Sequence, residues 1–199
     1  MNVVTGRLND FNEREAWRYL GYTAGANGLS ALTKQCGGIF EECKTLVLQA
    51  QDLRAVYEIF DVRECEGGLD LGFAFTASRD LKKYLAGCKK LVLFAATAGA
   101  GIDRAIAKYS RLSPARAAVI QAQGAALTED WCNFLHDGFI TRRGALKARF
   151  PPGFGDLSLD IQRDIFRALQ VTKNIGVVLS DDCFMTPSKS VTAIAGIKD

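Results

Sequence analysis

The sequence has little of what a self-contained catalytic or metal site is made from. Of 199 residues, one is histidine and six are cysteine. The cysteines stand at 36, 43, 65, 88, 132 and 183, so there is no C-x-x-C pair to hold zinc or run dithiol chemistry. The single histidine, His136, excludes a multi-histidine metal site, and no Ser or Cys motif surrounds it as a nucleophile–base pair would require. Charge of one sign is scarce too. Lys+Arg number 25 and Asp+Glu 22, a net +3, without the concentrated basic face of a nucleic-acid binder. Lys82-Lys83, Lys89-Lys90 and Arg142-Arg143 are the only local cationic clusters and read as solvated surface. No stretch approaches the ~20 apolar residues that cross a bilayer, and Met1 to Asp10 lacks the basic-then-apolar order of a secretory leader. A reducing cytoplasm is therefore expected, and neither nucleic acid nor membrane as partner.

What is present is an ordinary globular composition, 48% hydrophobic with 19 glycines and 4 prolines. The length suits one α+β domain spanning 1–199, with a mostly antiparallel sheet packed against helices. A short first helix is expected from a cap at Asn9 or Asp10 through Trp17 to Leu20. The series Leu29, Leu32, Cys36, Ile39, Phe40, Cys43 marks a longer helix, with both cysteines as small apolar residues on its stripe. Its Gly37-Gly38 pair costs roughly 1 kcal/mol per glycine and predicts a kink. Ala55 to Val62 and Leu69 to Phe75 read as strands of a hairpin turning at Glu66-Gly67-Gly68. Ser78 caps a helix over 79–86, and Leu91 to Ala96 is a buried strand. Thr97 to Gly101 turns into a helix, and Ser113-Pro114 opens a long one. On that long helix Leu127, Trp131, Phe134, Leu135 and Gly138 form the apolar stripe, while Glu129, Asn133 and His136 fall on another face. A loop over 149–158 precedes a helix at Ile161 to Leu169, capped by Asp156 or Ser158. Ile175 to Ser180 and Ser190 to Ile197 are expected to close the chain as strands.

Few residues offer chemistry. Gly99-Ala100-Gly101 follows a buried strand and precedes a helix, as in dinucleotide sites, but the third glycine position is Arg104 and no acid stands ~20 residues on. A tight turn with close packing is the reading. His136 reads as a structural residue. Glu129 stands among Ala125, Ala126, Leu127 and Trp131, where a carboxylate is either solvated or in need of a partner. The segment Arg149-Phe150-Pro151-Pro152-Gly153-Phe154-Gly155-Asp156 either merely covers the core or binds a ligand. Prolines stiffen it, glycines allow close approach, and Arg149 and Phe154 suit a ligand with a carboxylate and a flat base.

This loop resembles the Arg-x-x-x-Gly-Tyr motif of the activation domain of cobalamin-dependent methionine synthase. Trp17-Arg18-Tyr19-Leu20-Gly21-Tyr22 is similar to the opening of the short, free-standing members of that family. Leu93 to Gly99, Gly124 to His136, Ile175-Gly176-Val177 and Met185 to Val191 resemble later segments in the same order. The resemblance implies a reactivation subunit that presents S-adenosylmethionine for reductive methylation of cob(II)alamin. The corrinoid would be carried by a separate methionine synthase lacking this domain, because the Asp-x-His-x-x-Gly cobalamin signature is absent here. Flavodoxin or ferredoxin would donate the electron, so the chain would be an accessory methyltransferase component. By the same resemblance Arg149 would hold the methionine carboxylate, the backbone from Pro151 through Gly153 to Phe154 would cradle the nucleoside, and Glu129 would face the ammonium. Phe154 stands where the motif has tyrosine, and Phe139 to Ala148 is shorter than the acidic, aromatic loop of the fused enzymes.

Overall fold

The computed structural model describes residues 1–22, 26–143 and 145–198, and of 26–36 and 139–143 only the backbone. Strand β1 (Asn2–Gly6) leads into α1 (Glu13–Tyr19) and the long α2 (Ala26–Ala50). Four strands follow, β2 (Leu53–Asp61), β3 (Arg63–Cys65), β4 (Gly68–Asp70) and β5 (Phe75–Thr76). Next come α3 (Arg79–Leu85), β6 (Lys90–Thr97), α4 (Ala100–Leu112) and α5 (Pro114–Arg143). The chain closes with α6 (Ile161–Leu169), α7 (Val171–Ile175), β7 (Val178–Leu179), β8 (Met185–Thr186) and β9 (Ser190–Ile197).

The apolar run Leu91 to Ala96 has no polar face, so it must be covered on both sides. It lies inside the four-stranded antiparallel sheet, order β1-β2-β6-β9. Alternation along β6 sends Val92, Phe94 and Ala96 to one core and Leu91, Leu93 and Ala95 to the other. The first core is roofed by α1, α2, α4 and α5 through Trp17, Phe40, Ile102 and Trp131. The second holds Leu81 and Leu85 of α3 and Ile165, Leu169 and Val171 of α6 and α7. Helices thus cover both faces of an antiparallel sheet, in the α+β class that was expected.

Several local expectations are corrected. The chain opens with an edge strand rather than a helix; Asn2–Gly6 pairs with β2, and its mostly exposed residues carry no amphipathic signal. The first helix is capped by Asn12, whose side chain accepts from the Arg14 and Glu15 amides, not by Asn9 or Asp10. Helix α2 runs unbroken through Gly37-Gly38; within it Cys43 and Phe40 are buried and Ile39 is exposed, while the side chains of Leu29, Leu32 and Cys36, like those of Arg142 and Arg143, are not among those described. The expected hairpin is antiparallel, but it joins β3 to β4, because β2 belongs to the larger sheet. The strand expected over Leu69 to Phe75 breaks at Gly72, whose φ of +75° turns the chain, and β5 folds back on β4. Phe134 is exposed, stacked beside Trp131. Helix α6 starts after Asp160 without a side-chain cap. The first closing strand shrinks to β7, since Ile175 ends a helix.

The Gly99–Gly101 turn packs as read. A Cβ on Gly101 would stand 2.1 Å from the Ala50 carbonyl oxygen, so α4 seats directly on the end of α2. Gly101→Val is expected to destabilise the fold by about 3 kcal/mol, the upper range for overpacking. The measurement is a urea unfolding curve with a lowered midpoint and unchanged slope; an unmoved midpoint contradicts this packing.

Candidate functional site

The segment following α5 returns along the open edge of β9. Phe150 exchanges two backbone hydrogen bonds with Ile194, of 2.8 and 3.0 Å, and the Lys147 amide donates to the Gly196 carbonyl at 2.9 Å. Bridges join Leu146 to Ile197 and Phe150 to Ile194, so four steps on this strap oppose three on β9. Such a mismatch is a bulge, which flips the side-chain alternation. Leu146 accordingly enters the core under α5, and Phe150 enters the opposite core. With Phe150 on that side, its neighbour Arg149 projects back toward α5.

There it meets three α5 residues spaced i, i+4, i+7, which share one face of a helix. Arg149 Nη2 donates to Glu129 Oε1, and Nη1 donates to Asn133 Oδ1 at 3.0 Å. His136 completes the row. Burial and the Arg149 charge both hold its imidazole below the usual 6.5, so it is neutral at pH 7. Its Nδ1 is buried with no hydrogen-bond partner among the described residues. Together with Ala148, Pro151, Val191 and Ala193, these residues line a cleft of about 480 Å³. Opposite charges, a neutral ring and apolar walls suit a small zwitterionic ligand with an apolar body.

Helix α3 holds the segment at both ends. The Lys147 ammonium donates to the Tyr84 and Ala86 carbonyls at its C-terminus, at 2.6 and 2.8 Å, where the helix dipole favours a cation. The Tyr84 hydroxyl donates to the Ala148 carbonyl and accepts from the Gly196 amide; burial pushes its pKa up to about 12. At the other end Asp156, expected to cap α6, caps α3 instead. It accepts from Ser78 Oγ and from the Arg79 and Asp80 amides.

Between these anchors the chain makes a tight turn. Gly153 has φ +82°; its amide donates to the Leu157 carbonyl, and the Phe154 amide to the Pro151 carbonyl. Both donors are therefore engaged inside the loop. Phe154 is 61% exposed and edge-on to Phe150, 5.2 Å between centroids, beside the cleft rather than in its wall.

No family model matches the chain, and no curated protein matches it. A solved structure does. The crystal structure of the MetH reactivation domain bound to AdoHcy is similar over 98% of this chain and 77% of that one, with a TM-score of 0.72 and 14% sequence identity. The fold is that of the MetH reactivation domain. At such low identity the likeness establishes the architecture, and the residues of the cleft must be argued from their own geometry.

Of the residues singled out from sequence, Glu129, Arg149 and Pro151 come together around the cleft, while Gly153 and Phe154 sit on the adjoining turn. His136, read from sequence as structural, stands in the cleft wall, and Asn133, Ala148, Val191 and Ala193 were not singled out. The alternation Leu146-Lys147-Ala148-Arg149-Phe150 marks an edge segment, but it puts Leu146 and Phe150 on one face whereas the bulge sends them to opposite cores, so no local signal places Ala148. The Ser78 hydroxyl and Arg79 amide hold the Asp156 carboxyl below its ordinary 3.8. A depressed carboxylate pKa contributes stability above the unfolded value, and that stability is lost as pH falls through the folded one. Thermal midpoints measured from pH 5 to pH 2.5 should fall less steeply for Asp156→Asn than for wild type; parallel acid limbs would contradict the cap.

Proposed function

We propose that this chain binds S-adenosylmethionine in the Arg149–Glu129 cleft and acts as a reactivation subunit. It would support reductive methylation of cob(II)alamin on a separate cobalamin-dependent methionine synthase lacking this domain. The observation that carries the reading is a cleft with one guanidinium and one carboxylate facing each other, in a fold shared with a domain crystallised with AdoHcy. The cleft volume of about 480 Å³ falls in the range of small-molecule sites, and the orphaned Nδ1 of His136 marks a polar group the protein itself leaves unused.

The chain's residues have binding and orienting roles. Arg149 exchanges Glu129 and Asn133 for the amino-acid carboxylate, which a guanidinium grips in bidentate fashion. Glu129, released, accepts from the ammonium. Pro151 and Val191 supply apolar walls, and Phe154 an apolar edge outside them. His136, being neutral, adds no positive charge beside a sulfonium. S-adenosylmethionine supplies an electrophilic methyl group; a flavodoxin or ferredoxin supplies the electron, and the partner the corrinoid, so the protein contributes position and exclusion of water. The cytoplasm suits such a partnership; among the described residues no helix is long and apolar enough to cross a membrane.

A competing reading is an interaction subunit that caps a corrinoid protein without S-adenosylmethionine, and the internally bonded Gly153 and Phe154 amides favour it. Calorimetric titration separates the two. Wild type should bind S-adenosylmethionine saturably, and Arg149→Ala should bind about 30-fold more weakly or worse, equal to about 2 kcal/mol. No saturable binding by wild type leaves the capping reading. With binding intact, mixing the chain with cob(II)alamin methionine synthase, reductant and S-adenosylmethionine tests the partner: failure to restore activity points to another corrinoid methyltransferase.

A further inference from the structure

A second cavity, of about 170 Å³, adjoins the cleft and shares Glu129 and Val191 with it. Tyr19, Thr128, Ser190 and Lys189 also line it. Lys189 is only 7% exposed, yet no hydrogen bond or ion pair joins its ammonium to another described residue. Both nearby carboxylates are engaged elsewhere. Asp103 accepts from the Ser188 amide and hydroxyl, each at 2.6 Å, and Glu129 pairs with Arg149. Burial lowers the lysine pKa, and Asp103 opposes that shift.

The lysine is nevertheless held in place with care. Its carbonyl accepts from the Ala98 amide at 2.8 Å, and the Ser188–Asp103 bonds anchor the preceding residue on the first turn of α4. Its stem passes over Gly124, where an added Cβ would stand 3.1 Å from Lys189 Cε and 2.8 Å from Ile102 Cγ2. An apolar side chain would fill that slot as well, whereas the lysine brings to the cavity an ammonium that meets no protein acceptor among the described residues and keeps contact with solvent there. The charge is therefore left for something that arrives. Tyr19 carries a further O–H donor in the same cavity wall.

We infer that Lys189 and the cavity beside it form an oxyanion subsite that takes a carboxylate or phosphate group. Two sources share that chemistry: an arm of the ligand held in the adjoining cleft, or a separate small anion. The first source rests on the S-adenosylmethionine reading of the cleft; the second does not.

The test uses inorganic phosphate as probe, titrated calorimetrically against the full chain, Lys189→Met, Lys189→Gln and the surface control Lys83→Met. Wild type and Lys83→Met should bind saturably and alike. Both Lys189 variants should bind at least about tenfold more weakly, the worth of one charge-assisted hydrogen bond, with thermal midpoints at or above that of wild type because a buried charge has gone. Equal binding by wild type and the Lys189 variants, or none by wild type, would overturn the subsite. Repeating the titration with saturating S-adenosylhomocysteine identifies the source: loss of phosphate binding means that the carboxylate gripped by Arg149 also reaches Lys189, and undiminished binding means a separate anion. If S-adenosylhomocysteine does not bind while the Lys189 variants still lose phosphate, the subsite stands and only the reading of the cleft falls.

Discussion

The site depends on a mismatch of one residue between the strap and β9. Four steps from Leu146 to Phe150 lie against three from Ile197 to Ile194, and that extra residue inverts the side-chain alternation. Without it Phe150 and Arg149 would exchange faces, putting a guanidinium in the core lined by Leu93 and Ile165 and a phenyl ring beside Glu129. Both placements are costly, so the register is specified from each side of the sheet. Helix α3 then holds the result: Lys147 is tied to its C-terminus and Asp156 to its N-terminus. A seven-residue helix packed on the other face of the sheet thereby sets the position of the arginine and of the Pro-Gly turn after it.

The Arg149–Glu129 pair sits at an instructive depth. The arginine side chain is 18% exposed and the glutamate 40%, so the pair has water on one side. Partly exposed ion pairs contribute about 0–1 kcal/mol, little enough for an incoming carboxylate and ammonium to replace each partner by its equivalent. A fully buried pair would resist that exchange, because separating it strands two charges. The neutral His136 and the buried Lys189 complete the local field on either side of Glu129. The carboxylate is thus the one anionic group shared by both cavities.

Much of the fold was legible because its signals are strong and local. The doubly buried β6, the Ser78 cap of α3, the Ser113-Pro114 start of α5 and the packing glycines at 99 and 101 each follow from residue chemistry acting on near neighbours. The failures have a common cause. β1 is a short, exposed edge strand with no apolar face, and the break at Gly72 follows from the pairing of β4 with β5, which lies outside any window of the sequence. Asp156 caps a helix 77 residues earlier than itself in the chain, at Arg79, and a cap so distant leaves no local trace. At the site, Glu129 in an apolar neighbourhood was open to two readings, solvated or partnered; it is 40% exposed and also paired, with a partner 20 residues away across a bulge. Lys189 was not singled out, because nothing local marks a lysine between two serines as buried; its stem lies over Gly124 of α5.

The central claim is that the cleft opens its own ion pair to seat an amino-acid group. A crystal structure of this chain with S-adenosylhomocysteine tests it most directly. The account predicts the ligand's carboxylate on Arg149, its ammonium on Glu129, and the two side chains no longer bonded to each other. A ligand seated elsewhere, or bound with the Arg149–Glu129 pair intact, would contradict it.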